Sequence, residues 1–71
     1  MEYSPLRWYW LDATGRLYSS EARSLVQADD ERYLAWRARG GKPTPWPRGE
    51  DGAQTNAALD AVLKPYGLAV A

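Results

Sequence analysis

Two groups of carboxylates are the residues best placed to do chemistry in this sequence: Asp29-Asp30-Glu31 and Glu50-Asp51. Paired carboxylates can move protons or hold hard cations. Adjacent residues on a helix do not share a face, however, and acids at a helix start have a simpler role opposite the helix dipole. Asp29, Glu31 or Glu50 would gain a catalytic meaning only by meeting another acid in a cleft. The chain has no histidine and no cysteine. No disulfide and no Cys-based metal site can form. A nucleophile and base would have to come from Ser, Lys and acids alone, and no motif points there. Gly40-Gly41 falls at the end of a predicted helix, whereas a phosphate loop belongs at the start of one. The expectation is a chain with no catalytic set, no cofactor and no metal.

What remains is a binding surface and the elements that must build it. Seventy-one residues suit one domain, residues 1–71. So short a chain buries only about 60% of its unfolded surface, so bulky side chains have to supply the core. Four Trp and five Tyr, with no Phe, are suited to that task. Nine basic and nine acidic residues cancel, which argues against general phosphate or nucleic-acid binding. No apolar run approaches the roughly 20 residues of a membrane span. The start, Met1 to Pro5, lacks the basic and apolar regions of a signal peptide, so a soluble, cytoplasmic protein is expected.

The aromatic density of residues 6–11, Leu-Arg-Trp-Tyr-Trp-Leu, predicts a strand. Asp12-Ala13-Thr14-Gly15 predicts a three-residue hairpin loop with a bulge, and residues 16–19 the return strand. In that register Leu11 faces Leu17 and Trp10 faces Tyr18. A four-residue loop would pair Tyr9 with Tyr18 instead. Residues 24–27 are a weaker third strand. Asp29 and Asp30 open a helix to about residue 39, ended by Gly40-Gly41. Its apolar residues are divided, with Tyr33 and Trp36 on one side and Leu34 and Ala38 on another, so it is expected to be gripped from two sides. Pro43, Pro45 and Pro47 hold the next stretch extended. Thr55 caps a second helix over residues 56–64, with Ala58, Leu59, Val62 and Leu63 inward and Asp60 paired to Lys64 outside. Pro65 should turn Lys64 out of helix. The expected fold is α+β: a small two- or three-stranded antiparallel sheet, led by the N-terminal hairpin, packed against two short helices joined by a proline-rich loop.

Six rings are the candidate partner-binding residues: Trp8, Tyr9, Trp10, Tyr18, Trp36 and Trp46. Flat rings serve protein, sugar or single-stranded nucleic-acid contacts, and they serve equally as the core of a small domain. Both faces of the hairpin carry rings, so at least one is expected to stay partly exposed. A homodimer would cover a bare second face. Trp46, braced by Pro45 and Pro47, reads as a lid over the core or as an anchor for a groove on a partner. Arginines interleave with the rings, as Arg7 by Trp8, Arg16 near Tyr18, Arg32 with Trp36 and Tyr33 with Arg37, which reads as nucleic-acid binding or, favoured by the zero net charge, as cation–π pairing and ordinary solvation.

The order of these features resembles small modules in bacteriophage and prophage tail-associated proteins, including tail-fibre assembly proteins. The residues that carry it are the aromatic strand, Leu17-Tyr18-Ser19-Ser20, Ala28-Asp29-Asp30 leading to Tyr33-Leu34-Ala35-Trp36, and Gly40-Gly41-Lys42-Pro43-Thr44-Pro45-Trp46-Pro47. The likeness covers roughly residues 8–47, and loosely the tail from Leu59 to Leu68. It implies a structural or chaperone-like role with protein partners and no cofactor, and a virion-associated location if the chain is a tail component. The expected function is a non-enzymatic protein-interaction module. The alternative is a carbohydrate- or single-stranded nucleic-acid-binding module that uses the Trp/Tyr face.

Overall fold

The computed structural model describes residues 2–70; Met1 and Ala71, which the single-domain and N-terminal readings include, lie outside the described residues. Strands β1 (Tyr9–Leu11), β2 (Leu17–Ser19) and β3 (Ser24–Val26) precede helix α1 (Glu31–Ala38). Strand β4 (Thr44–Pro45), helix α2 (Asn56–Leu63) and a 3-10 turn (Lys64–Tyr66) complete the chain. The strands form one sheet in the order β3-β2-β1-β4. The fold is therefore α+β, with a larger sheet than the sequence suggested. The addition is β4, which runs parallel to β1 and pairs Thr44 with Trp10 and Pro45 with Leu11. Proline lacks an N–H, and Pro45 sits at the sheet edge, where none is needed.

The first turn follows from its own residues. Asp12 accepts hydrogen bonds from the backbone N–H groups of Thr14 and Arg16 and from the Thr14 hydroxyl. Gly15 takes φ 95°, which closes the three-residue loop. The register is the one expected, with Leu11 opposite Leu17 and Trp10 opposite Tyr18. The second hairpin joins β2 to β3 through residues 20–23 and places Arg23 at φ 56°, an unusual position for a side-chain-bearing residue.

Caps define both helices. Asp30 accepts from the Tyr33 N–H at the start of α1, and Thr55 accepts from the Ala58 N–H at the start of α2. Gly40, at φ 99°, and Gly41 end α1 by donating to the Arg37 and Trp36 carbonyls, which is a Schellman motif. Three local readings are corrected. Leu34 is 50% exposed and Ala38 is also exposed, so α1 is gripped from one side, through Tyr33 and Trp36. Asp60 does not pair with Lys64; it accepts the Val70 N–H at 2.7 Å and holds the C-terminal segment. Lys64 keeps right-handed helical angles despite Pro65, because the chain passes into a 3-10 turn whose first positions do not need a proline N–H.

The rings build a single core cluster together with Leu17, Leu59, Leu63, Leu68 and Val70. Residues opposite one another across a ladder share a face, so Tyr9, Leu11 and Leu17 point one way and Trp10 and Tyr18 the other. On the Tyr9 face lies α1, with ring centres of Tyr33 and Trp36 at 4.9 and 4.7 Å from Tyr9. On the Tyr18 face lies the C-terminal segment, where the Tyr18 hydroxyl donates to the Ala69 carbonyl at 2.9 Å. The Tyr9–Tyr33 pair is edge-to-face and the Tyr9–Trp36 pair tilted, and aromatic pairs add about 0.5–1.5 kcal/mol each beyond the area they bury.

Candidate functional site

A concave recess opens between α1, the N-terminal segment and the β2–β3 turn. It holds about 400 Å³. Its floor is made of Trp8, Tyr9 and Trp36, and its rim carries Arg7, Arg32 and Arg39 opposed by Glu2 and Glu21. Three local devices position that floor. The Trp8 backbone exchanges hydrogen bonds with Ser20 through both the Ser20 hydroxyl and its N–H. The Trp8 indole N–H donates to the Thr44 hydroxyl at 2.8 Å, which anchors the ring to β4. The Trp36 ring meets Trp8 edge-on with centres 4.8 Å apart, and it rests on the backbone of Gly41, where a Cβ would lie 2.4 Å from ring atoms. Glycine at 41 is therefore a packing requirement.

A second, shallower recess of about 450 Å³ adjoins the first. Arg7 lines both. Arg23, Leu6 and Leu68 belong to the second recess alone, and Glu21 is shared. Across this surface one ion pair forms, between Arg32 and Glu21 at 3.5 Å, with both groups well exposed. Such a pair contributes at most about 1 kcal/mol.

The six sequence-derived candidates divide into two groups. Trp8, Tyr9 and Trp36 reach the floor of the first recess, where they are 6%, 6% and 5% exposed. Trp10, Tyr18 and Trp46 line neither recess and are 1%, 0% and 1% exposed. The expectation that one hairpin ring stays partly exposed is overturned. α1 and the C-terminal segment cover the rings on both faces of the central strands, and the exposed rings are Tyr3 and Tyr66 instead. The same elements occupy the ring-bearing parts of both sheet faces, while Leu11 and Leu25 stay 36% and 47% exposed.

Trp46 covers the core from the loop side. Its backbone N–H donates to the Leu11 carbonyl, and its indole N–H donates to the Thr55 carbonyl at 2.8 Å. Gln54 binds both sides of this junction, accepting from the Ala13 N–H and donating to the Trp46 carbonyl. The guanidinium of Arg16 lies 4.5 Å from the Trp46 ring centre, bonds the Gln54 carbonyl and the Asn56 amide oxygen, and pairs with Asp12. Among the described residues this is the cation–π contact, in place of the sequence pairings of Arg7 with Trp8, Arg16 with Tyr18, Arg32 with Trp36 and Tyr33 with Arg37. Burial raises the proton affinity of the Asp12 carboxyl. The hydrogen bonds from Arg16 and Thr14 outweigh that and bring its pKa to about 2.

The acids considered for catalysis have other places. Asp30 is the α1 cap, and Asp29, Glu31 and Glu50 line neither recess. Among the described residues no three acids gather in a geometry suited to a metal. No helix among them is long and apolar enough to cross a membrane. Sequence reasoning did not single out Arg23, Arg39 or Glu21 as site residues. They converge only through the fold, and the local signals were Arg7 beside Trp8 and Arg32 with Trp36. Comparison with family models, curated proteins and solved structures gives no match to this chain.

Proposed function

We propose that the chain is a non-enzymatic protein-interaction module, and that its setting is a tail assembly of phage or prophage origin. There it would act in tail or fibre assembly or as a domain fused to a tail component. The partner class rests on one observation, the closure of the ring faces. Stacking on a sugar or a base requires an open ring face. All six candidate rings are 6% exposed or less. Only Trp8, Tyr9 and Trp36 reach a recess, as its nearly closed floor, and an apolar floor within a polar rim suits a protein contact. The phage or prophage setting rests on the resemblance of residues 8–47 alone.

The test is co-expression of the tagged chain with the products of the genes on either side of its own. Recovery of a structural protein in stoichiometric complex is the expected result, and recovery of none overturns the reading. Titration with glycans and with oligonucleotides, followed by tryptophan fluorescence, addresses the alternative. No spectral change at millimolar ligand is expected. A saturable change would transfer the assignment to carbohydrate or single-stranded nucleic acid.

A further inference from the structure

The seven arginines of the chain divide by what their side chains hold. Arg16 binds Asp12, Asn56 and the Gln54 carbonyl. Arg37 donates to the Gly41 carbonyl, Arg48 to the Gly52 carbonyl, and Arg32 faces Glu21. Among the described residues the Arg7, Arg23 and Arg39 side chains have no hydrogen-bond or ion-pair partner. These three all line the two adjoining recesses, with Arg7 common to both. Folding therefore uses four arginines and leaves three displayed around one concave surface. Arg23 in addition stands at φ 56°, where glycine would be accommodated without strain.

The local charge departs from that of the whole chain. Four arginines and two glutamates line the recesses, while the molecule as a whole is neutral. The buried floor is apolar, from Trp8 and Trp36 in one recess to Leu68 in the other, with Leu6 exposed beside it. We propose that the two recesses form one docking surface for an acidic segment of a partner protein, whose carboxylates pair with Arg7, Arg23 and Arg39 and whose intervening apolar side chains rest on the floor. This rests on the protein-interaction reading above and names its site and the chemistry of its partner.

Charge complementarity favours a peptide over a polyphosphate chain. Glu2 and Glu21 stand among the arginines and would repel a backbone with a charge on every unit. A peptide can space its carboxylates to match the arginines and turn backbone N–H groups toward the glutamates. Guanidinium groups also suit carboxylates through paired N–H donors.

The probe is a short fluorescein-labelled peptide alternating Glu or Asp with Leu, titrated into the intact chain and read by anisotropy and by shifts of the indole N–H resonances. Controls are its Gln/Asn counterpart and a single-stranded oligonucleotide. The expected result is salt-sensitive binding of the acidic peptide, with the Trp36 resonance displaced. Arg7→Ala and Arg39→Ala should each weaken it roughly tenfold, while Lys64→Ala leaves it unchanged. Absence of acidic-peptide binding, equal binding by the arginine variants, or preference for the oligonucleotide overturns the proposal. If a natural partner is retained in co-expression but Arg7→Ala/Arg39→Ala holds it equally well, this surface is the wrong one and the interaction reading stands. If no partner is retained, the interaction reading itself fails.

Discussion

The Trp36 indole lies directly on the backbone of Gly41, so that a Cβ at position 41 would stand 2.4 Å from two ring atoms. The same two residues are joined by the Gly41 N–H to Trp36 carbonyl bond that ends α1. One glycine thus stops the helix and seats the ring that floors the main recess. Gly41→Ala should lower stability by about 1–3 kcal/mol, the usual cost of overpacking, read as a fall in the urea midpoint. Adding Trp36→Leu removes the clash, so the double variant should lose less than the sum of the singles.

Arg23 offers the opposite case. A left-handed conformation costs an L-residue roughly 1–2 kcal/mol, and glycine returns part of that as greater freedom when unfolded. Arg23→Gly is expected to raise stability by about 0.5–1 kcal/mol in thermal denaturation. The same variant should bind the acidic peptide more weakly. A gain in stability with no loss of binding would remove Arg23 from the docking surface.

The Asp12 carboxyl has a pH signature. Its pKa is lowered in the folded chain to about 2. A group with a depressed folded pKa contributes stability above its unfolded value, near 4, and loses that contribution as pH falls through the folded value. Stability should therefore decline between about pH 4 and pH 2, and Asp12→Asn should flatten that part of the curve. Urea melts across this range, for the native chain and the variant, make the comparison.

Trp46 is 1% exposed and is joined to Arg16, Thr55 and β1. Truncating a buried Trp to Ala costs about 3–5 kcal/mol, and a chain of this size has a total stability of similar order. Trp46→Ala should therefore leave the chain largely unfolded at room temperature, with collapsed amide dispersion in the NMR spectrum. Trp46→Phe keeps an aromatic ring, though a smaller one, and removes the indole N–H to Thr55 carbonyl bond, and should stay folded with a lower melting temperature. An unchanged spectrum for Trp46→Ala would mean that the ring does not hold the loop to the sheet.

Short-range chemistry was legible in the amino-acid sequence. Asp12 and Gly15 specify the hairpin and its register, Asp30 and Thr55 cap the helices, and Gly40-Gly41 stops α1. In each case donor, acceptor and special backbone angle lie within a few residues, so residue type alone selects the geometry. Tertiary structure decided the rest. The Trp8 indole finds Thr44, 36 residues along the chain, and Arg16 turns to Trp46 rather than to neighbouring Tyr18. Whether a ring is core or surface depends on what closes over it, and here α1 and the C-terminal segment cover both sheet faces. The recess depends on the same closure. Arg7, Arg23 and Arg39 come from three segments whose sequence contains no sign of their meeting, because their positions are fixed by the packing of a core to which none of them contributes.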